Sequence, residues 1–295
     1  MISSLTARAT ELLLHGKIIP VSMKQLAICF FVQIMAIMLC GQTVRFPLNC
    51  AYTSAGVYSI HFTDVFASAA NPGALARTNN LAAGIYAERK FMLKELAYYQ
   101  AIVAVPSKKG GFSLSLHYSG NALFQEMQVG VGYGRKLSEK FDLGARINYC
   151  LINAGSYSVA ATLNAEIGAI WHINEEIHLG LHVYNPIGGK FGKEINEKIP
   201  AIYRTGLGYE VSEKVFISAE VVKVENQPAN INVALQYKFI DQFFLKTGLA
   251  THNGQFFIGA GFRRNKLQVD IVGSWHQQLG YTTSIVFIFG STGEE

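Results

Sequence analysis

Charge is scarce in this sequence. Only 15% of its 295 residues are Asp, Glu, Lys or Arg, set against 28 glycines, a balance foreign to most soluble enzymes. No run of basic residues gathers into a patch, which argues against nucleic acid as a partner. Cysteine is scarcer still. Of four, Cys29 and Cys40 fall in an apolar N-terminal stretch, so Cys50 and Cys150 are the only pair left for one bridge in an oxidising compartment. Two cysteines are no disulfide framework. Long apolar runs are missing too: the one from Leu26 to Leu39, broken by Gln33, falls short of the ~20 residues that a spanning helix needs. Helical periodicity is rare, and no Ser-His-Asp or Cys-His arrangement stands out. The expectation is a protein that is not an enzyme and needs no cofactor.

What is present begins at Met23. The stretch "MKQLAICFFVQIMAIMLCGQ" sets Lys24 beside Met23, then an apolar run, then small residues before Gln42. This is the grammar of a secretory signal peptide over residues 23–41, with residues 1–22 as an upstream extension. Acylation at Cys40 is the weaker reading, because the bulky Leu39 stands where a small residue is expected. Removing residues 1–41 takes away Arg8, Lys17, Lys24 and Glu11 and lowers the formal charge from +5 to +3.

Beyond residue 81 the sequence alternates. "FSLSLHYS" places Phe112, Leu114, Leu116 and Tyr118 on one face and Ser113, Ser115, His117 and Ser119 on the other, the mark of a strand with one apolar face. The pattern recurs at 177–183 and 231–237. Tight connections such as "LSEK" (137–140), "INEE" (173–176) and "VSEK" (211–214) alternate with looser ones such as "NPIGGKFGKEINEKIP" (185–200). A soluble sandwich would hide the apolar face in a core. An outer-membrane barrel turns it to lipid, and joins its strands by short turns at one end and looser loops at the other. Strands of roughly 9–11 residues suit a tilted crossing of the hydrocarbon layer. Tyr133, Phe141, Trp171, Tyr209, Tyr237 and Phe243 collect beside the tight turns, where an interfacial aromatic girdle lies. The predicted fold class is therefore all-β: a transmembrane antiparallel β-barrel of about 14 strands over residues 81–290, in the outer membrane of a Gram-negative-type bacterium. Membrane lipid is its first partner, and residues 291–295 form a periplasmic tail.

The face opposite the lipid predicts a lumen holding Arg146, Glu166, His178, His182, Arg204, Glu220, Lys238, Lys246 and Asp270. Both signs are balanced, so these charges are expected to pair across the barrel rather than select ions. Glycines share that face, where they let strands coil or let an inserted segment approach the wall. Residues 42–80 lack sustained alternation and supply a candidate insert, a plug or a periplasmic segment, with Asn71, Pro72 and Gly73 as its turn. Phe216, Phe244, Phe256, Ile258 and Phe262 read as an apolar patch in the last third of the lumen, facing either a hydrophobic small molecule or the plug. "GVGYG" (130–134) alternates along a strand with no helix after it, so it is not a phosphate loop. His178 and His182 share a face, but without a third ligand they read as lumen lining rather than a metal site.

The stretches "DVFASAANPGALA" (64–76), "GLHVYNPIGGK" (180–190) and "IPAIYRTGLGYEVSEKVFISAEVVK" (199–223) resemble the fourteen-stranded barrels of the FadL-like family, and within it the PorV/PorQ-type proteins of type IX secretion. Gly73 stands where that group has Ala. The PorV/PorQ resemblance implies a non-catalytic scaffold for other outer-membrane or periplasmic proteins, with Lys190, Lys193, Glu194, Glu197 and Lys198 as a partner-docking loop. The wider FadL resemblance implies a passive transporter of small hydrophobic molecules, in which that loop is a lid.

Overall fold

The computed structural model describes residues 54–155, 159–191, 197–251 and 254–290. The upstream extension, the signal segment, Cys50 and the 291–295 tail lie outside the described residues. The alternating segments form strands: β1 (Ala82–Arg89), β2 (Ala97–Ser107), β3 (Gly110–Gly120), β4 (Gln125–Ser138), β5 (Phe141–Asn153), β6 (Val159–His172) and β7 (Ile177–Tyr184). After a two-residue ribbon, β8 (Lys190–Phe191) with β9 (Glu197–Lys198), they resume as β10 (Ile202–Ser212), β11 (Val215–Val224), β12 (Ala229–Ile240), β13 (Phe243–Ala250), β14 (Gln255–Arg264), β15 (Leu267–His276) and β16 (Gly280–Phe289).

All strands but the ribbon pair antiparallel with their sequence neighbours, and β1 closes on β16 from Ala83↔Phe289 to Arg89↔Thr283. Closure leaves a barrel of 14 strands with no open edge, so the ladders pair the wall's backbone groups from strand to strand. Tight turns and the outer ends of β1 and β16 share one rim, called here the turn end; the looser connections form the loop end. Within "RKLSEKF", "YEVSEKV" and "YKFIDQF" the pairing skips one residue just before the turn, between Lys136 and Ser138, between Glu210 and Ser212, and between Lys238 and Ile240. The repeated phrase is thus a β-bulge followed by a two-residue turn. Its Trp171 version lacks the bulge and turns instead on Asn174, whose Oδ1 accepts from the N–H of Glu176 and Ile177.

Burial is inverted relative to a soluble protein. Along β5 and β6, Ile147 is 64% exposed and Leu163 63%, whereas the neighbouring Arg146 and Glu166 are 1% and 0%. A water-soluble sandwich would place these the other way round. The apolar band faces outward and the polar residues face in, which is the arrangement hydrocarbon demands. Among the described residues no helix is long and apolar enough to cross a membrane, so the crossing is made by strands.

Candidate functional site

The lumen is filled by the chain itself. Residues 54–80 lie against the inward faces of the strands with Tyr58, Phe66, Asn71 and Leu75 all buried. They include one helical turn, α1 (Ala67–Ala70), and a 3₁₀ turn from Pro72 to Arg77. The sequence sets this locally: Pro72 opens the 3₁₀ turn with its fixed φ, and Asn71 Oδ1 caps it by accepting from Gly73 N–H at 2.9 Å. The Asn71 amide donates to the carbonyls of Ala169 (3.3 Å) and Leu181 (3.1 Å), tying the turn to β6 and β7. Gly144 and Gly168 are register partners beneath it, and a Cβ on Gly144 would sit 2.1 Å from the Pro72 carbonyl oxygen.

Polar side chains of β5 to β13 hold this lumen segment. Tyr58 OH donates to Glu220 at 3.1 Å, and Glu210 accepts from Ser59 Oγ at 2.6 Å and Ile60 N–H at 2.8 Å. Arg146 donates to the carbonyls of Ser68 and Ala69 and lies 3.5 Å from Glu166. Glu166 also accepts from Asn148 at 2.7 Å and contacts His182 Nε2 at 3.0 Å. Lys246 sits 3.5 Å from both Asp64 and Asp270. Lys238 lies over the Phe62 ring, 5.6 Å from its centroid. Arg77 donates to Asp142 at 2.5 Å.

The opposite side of the lumen mixes an apolar cluster with buried polar side chains such as Glu88, Gln100, Gln268, Asp270 and Thr282. Tyr86, Tyr98, Ile102, Phe257, Val272, Val286 and Ile288, from β1, β2 and β14 to β16, form one cluster with Val65, Phe66, Ala69 and Leu75 of the lumen segment. At the loop end Tyr184, Phe191 and Ile199 are fully buried, and Asn185 clamps the returning chain by donating to the Ile199 carbonyl at 2.6 Å. At the turn end a cavity of about 610 Å³ opens between the lumen segment and the wall, lined among others by Asp64, Arg77, Lys136, Asp142, Lys238 and Arg263.

The inward set expected from alternation, Arg146, Glu166, His178, His182, Arg204, Glu220, Lys238, Lys246 and Asp270, does face the lumen. Its charges do not pair across the barrel. Those that pair do so with a nearby strand, as Arg146 with Glu166 and Lys246 of β13 with Asp270 of β15, or with the lumen segment, which occupies the space between the walls. His182 goes to Glu166 and His178 to His172, and among the described residues no group of three His, Cys, Asp or Glu could hold a metal ion. Arg204 stands opposite His182 in the β7–β10 register. The apolar patch needs correction. Phe216 and Phe244 are inward and buried, but Phe256, Ile258 and Phe262 are 48%, 53% and 38% exposed on the lipid face. The phase of β14 is marked by Gly259 and Gly261, which face inward with Phe257 while Phe256, Ile258, Ala260 and Phe262 face out. The residues Tyr133, Phe141, Trp171, Tyr209, Tyr237 and Phe243 all point outward beside the turn end.

In the 185–200 connection Lys190 is exposed, Lys193 and Glu194 lie outside the described residues, and the Glu197 backbone pairs with Phe191 in the ribbon. Lys198 donates to Glu225 at 2.6 Å; this bond, with one from the Ala201 N–H, holds the exposed Glu225 carboxyl below its usual range. Sequence reasoning missed Tyr58, Arg77, Asp142 and Glu210. A signal for Tyr58 existed in the matched glycines Gly180 and Gly206. Cys150 is a free, buried thiol.

A closed wall, an outward apolar face, an aromatic rim at the turns and a polar, filled lumen define an integral outer-membrane β-barrel. Comparison with known proteins gives the likeness within that class. No family model and no curated protein matches the sequence. Solved structures do match. A FadL homologue of Pseudomonas aeruginosa superposes with a TM-score of 0.58 at 12% identity, over 81% of this chain and 96% of that one. The toluene transporter TodX of Pseudomonas putida gives 0.61 at 10%, over 84% and 98%. The toluene transporter TbuX of Ralstonia pickettii gives 0.53 at 8%, over 76% and 92%. At these identities the likeness is one of fold.

Proposed function

We propose that this barrel is a non-catalytic passive transporter that admits small hydrophobic molecules through the outer membrane, with the lumen segment as the part that must shift. The observation that carries this reading is an apolar cluster of the wall that the lumen segment covers. The cluster reaches from Tyr98 near the loop end to Ile288 near the turn end, and the side chains now covering it, Val65, Phe66, Ala69 and Leu75, belong to the lumen segment rather than to the wall. Moving Val65, Phe66 and Leu75 aside would bare that cluster and release the bonds of Asp64, Ser68 and Ala69 to Lys246 and Arg146. Fold likeness to proteins described as toluene transporters supports the same reading. The turn end then faces the periplasm, and the cavity of about 610 Å³ is the exit vestibule. The test is uptake of a radiolabelled monoaromatic hydrocarbon by cells with and without the barrel. Faster accumulation supports transport; equal rates refute it.

A second reading is favoured by the loop end, where Tyr184, Phe191 and Ile199 are buried. In that reading the barrel is a PorV/PorQ-like scaffold, its 185–200 loop docking an outer-membrane or periplasmic protein of a type IX secretion complex. Purification in mild detergent separates the two: stoichiometric protein partners support the scaffold, and a lone barrel with a lipid-like ligand supports transport.

A further inference from the structure

We propose that His172 and His178, acting with Asp142 and Arg77, form an acid-sensitive latch that holds the lumen segment to the wall at the turn end. Nδ1 of one ring lies 3.0 Å from Nδ1 of the other, the rings inclined at 67°. His172 Nε2 is 2.8 Å from Asp142 Oδ2, and the same oxygen accepts from Arg77 Nε at 2.5 Å. The chain of contacts therefore runs from β7 through β6 and β5 to Arg77 of the lumen segment.

The proton arithmetic follows from the geometry. A hydrogen bond between two ring nitrogens needs one donor and one acceptor. With His172 Nε2–H donating to Asp142, the two rings tolerate one proton beyond neutrality, shared between the Nδ1 atoms with His178 Nε2 also protonated. A second extra proton sets two N–H groups and two cations against each other at 3.0 Å, and the pair must part. The rings titrate as a unit.

Surrounding charge decides what gives way. The charged and titratable groups around the pair are Asp142 from β5 and Arg77 and His61 from the lumen segment, and Arg77 also donates to the Glu139 carbonyl at 2.8 Å. A doubly charged pair sets its own cations and that of Arg77 against the single Asp142 carboxylate. The wall strands are held by their ladders. The movable cation is Arg77, and its departure frees residues 77–80, which line the turn-end cavity. The latch is closed near neutral pH and opens in acid, when the second extra proton binds. It stands whether or not anything passes through the barrel.

The test places spin labels on cysteines at Asn79 and Lys136, both exposed, in the full chain with Cys50 and Cys150 replaced by Ser. Dipolar distance distributions are recorded at about pH 7.5 and about pH 3.5, well to either side of the imidazole range. The expected result is one narrow distance at the higher pH and a second, longer population in acid. In H172Q/H178Q, whose amides hydrogen-bond without titrating, the narrow distance persists at both. An unchanged wild-type distribution overturns the proposal. So does equal acid opening in the double variant, since the carboxylates would then be responsible. Heat-modified gel mobility verifies the folded barrel in each variant, and H178Q alone is read in the same way if the double variant does not fold.

Discussion

Gly180 of β7 and Gly206 of β10 are register partners, and the Tyr58 ring lies over both of them. A Cβ at either position would stand 2.1 Å from a ring carbon, so two missing side chains on the wall form the slot that one aromatic of the lumen segment fills. The Tyr58 hydroxyl then reaches Glu220 at 3.1 Å.

Gly206→Ala should expel the ring. Overpacking of this kind costs about 1–3 kcal/mol. Tyr58→Ala should lose the contact without straining the wall, and the double variant should be less destabilised than the two single changes added together, because the ring is no longer present to clash. Urea-driven equilibrium unfolding in lipid vesicles measures all three. Strict additivity would mean that the ring does not occupy this slot.

Arg146→Met removes the donor to Ser68 and Ala69 and leaves Glu166 fully buried without its cation. Breaking one partner of a buried pair costs about 3–5 kcal/mol. Arg204 is 6% exposed and faces the lumen without such a pair, so Arg204→Ala should be neutral or destabilising, and by less. A lipid-facing arginine would behave in the opposite way, its removal stabilising the barrel by about 2–4 kcal/mol at the bilayer midplane. The same unfolding assay gives the sign.

Ile258→Arg tests the corrected phase of β14. On the outer face, near mid-membrane, it should cost about 2–4 kcal/mol and reduce the folded fraction seen as heat-modified mobility. Thr247, Ala260 and Gly273 are its cross-strand and strand neighbours on that face and offer no counter-charge. If the variant folded as well as wild type, residue 258 would have to face the lumen.

The wall was legible in the sequence because a period of two, sustained over fourteen segments, leaves little freedom once one face is apolar. The inward polar set follows from the same alternation, as Arg146 and Glu166 illustrate. The phase was lost where both faces are apolar: in "QFFIGAGF" the aromatics alone mislead, and Gly259 with Gly261 carry the information. The pairing of the lumen charges was illegible for another reason. Asp64 to Lys246, Tyr58 to Glu220 and Arg77 to Asp142 join residues 65 to 182 positions apart, and nothing periodic in residues 54–80 says where each will land. Only the glycine pairs of the wall hint at it.

Whether the lumen segment must move for anything to pass is decided by fixing it in place. Ser59 Oγ and Glu210 Oε1 lie 2.6 Å apart at the turn end, so cysteines there, in a chain with Cys50 and Cys150 replaced by Ser, can be bridged by a short reducible bifunctional reagent. Uptake of a monoaromatic hydrocarbon into proteoliposomes is then followed before bridging, after it and after reduction. Transport through a displaced lumen segment predicts uptake that stops on bridging and returns on reduction. Uptake unchanged by the bridge would contradict it.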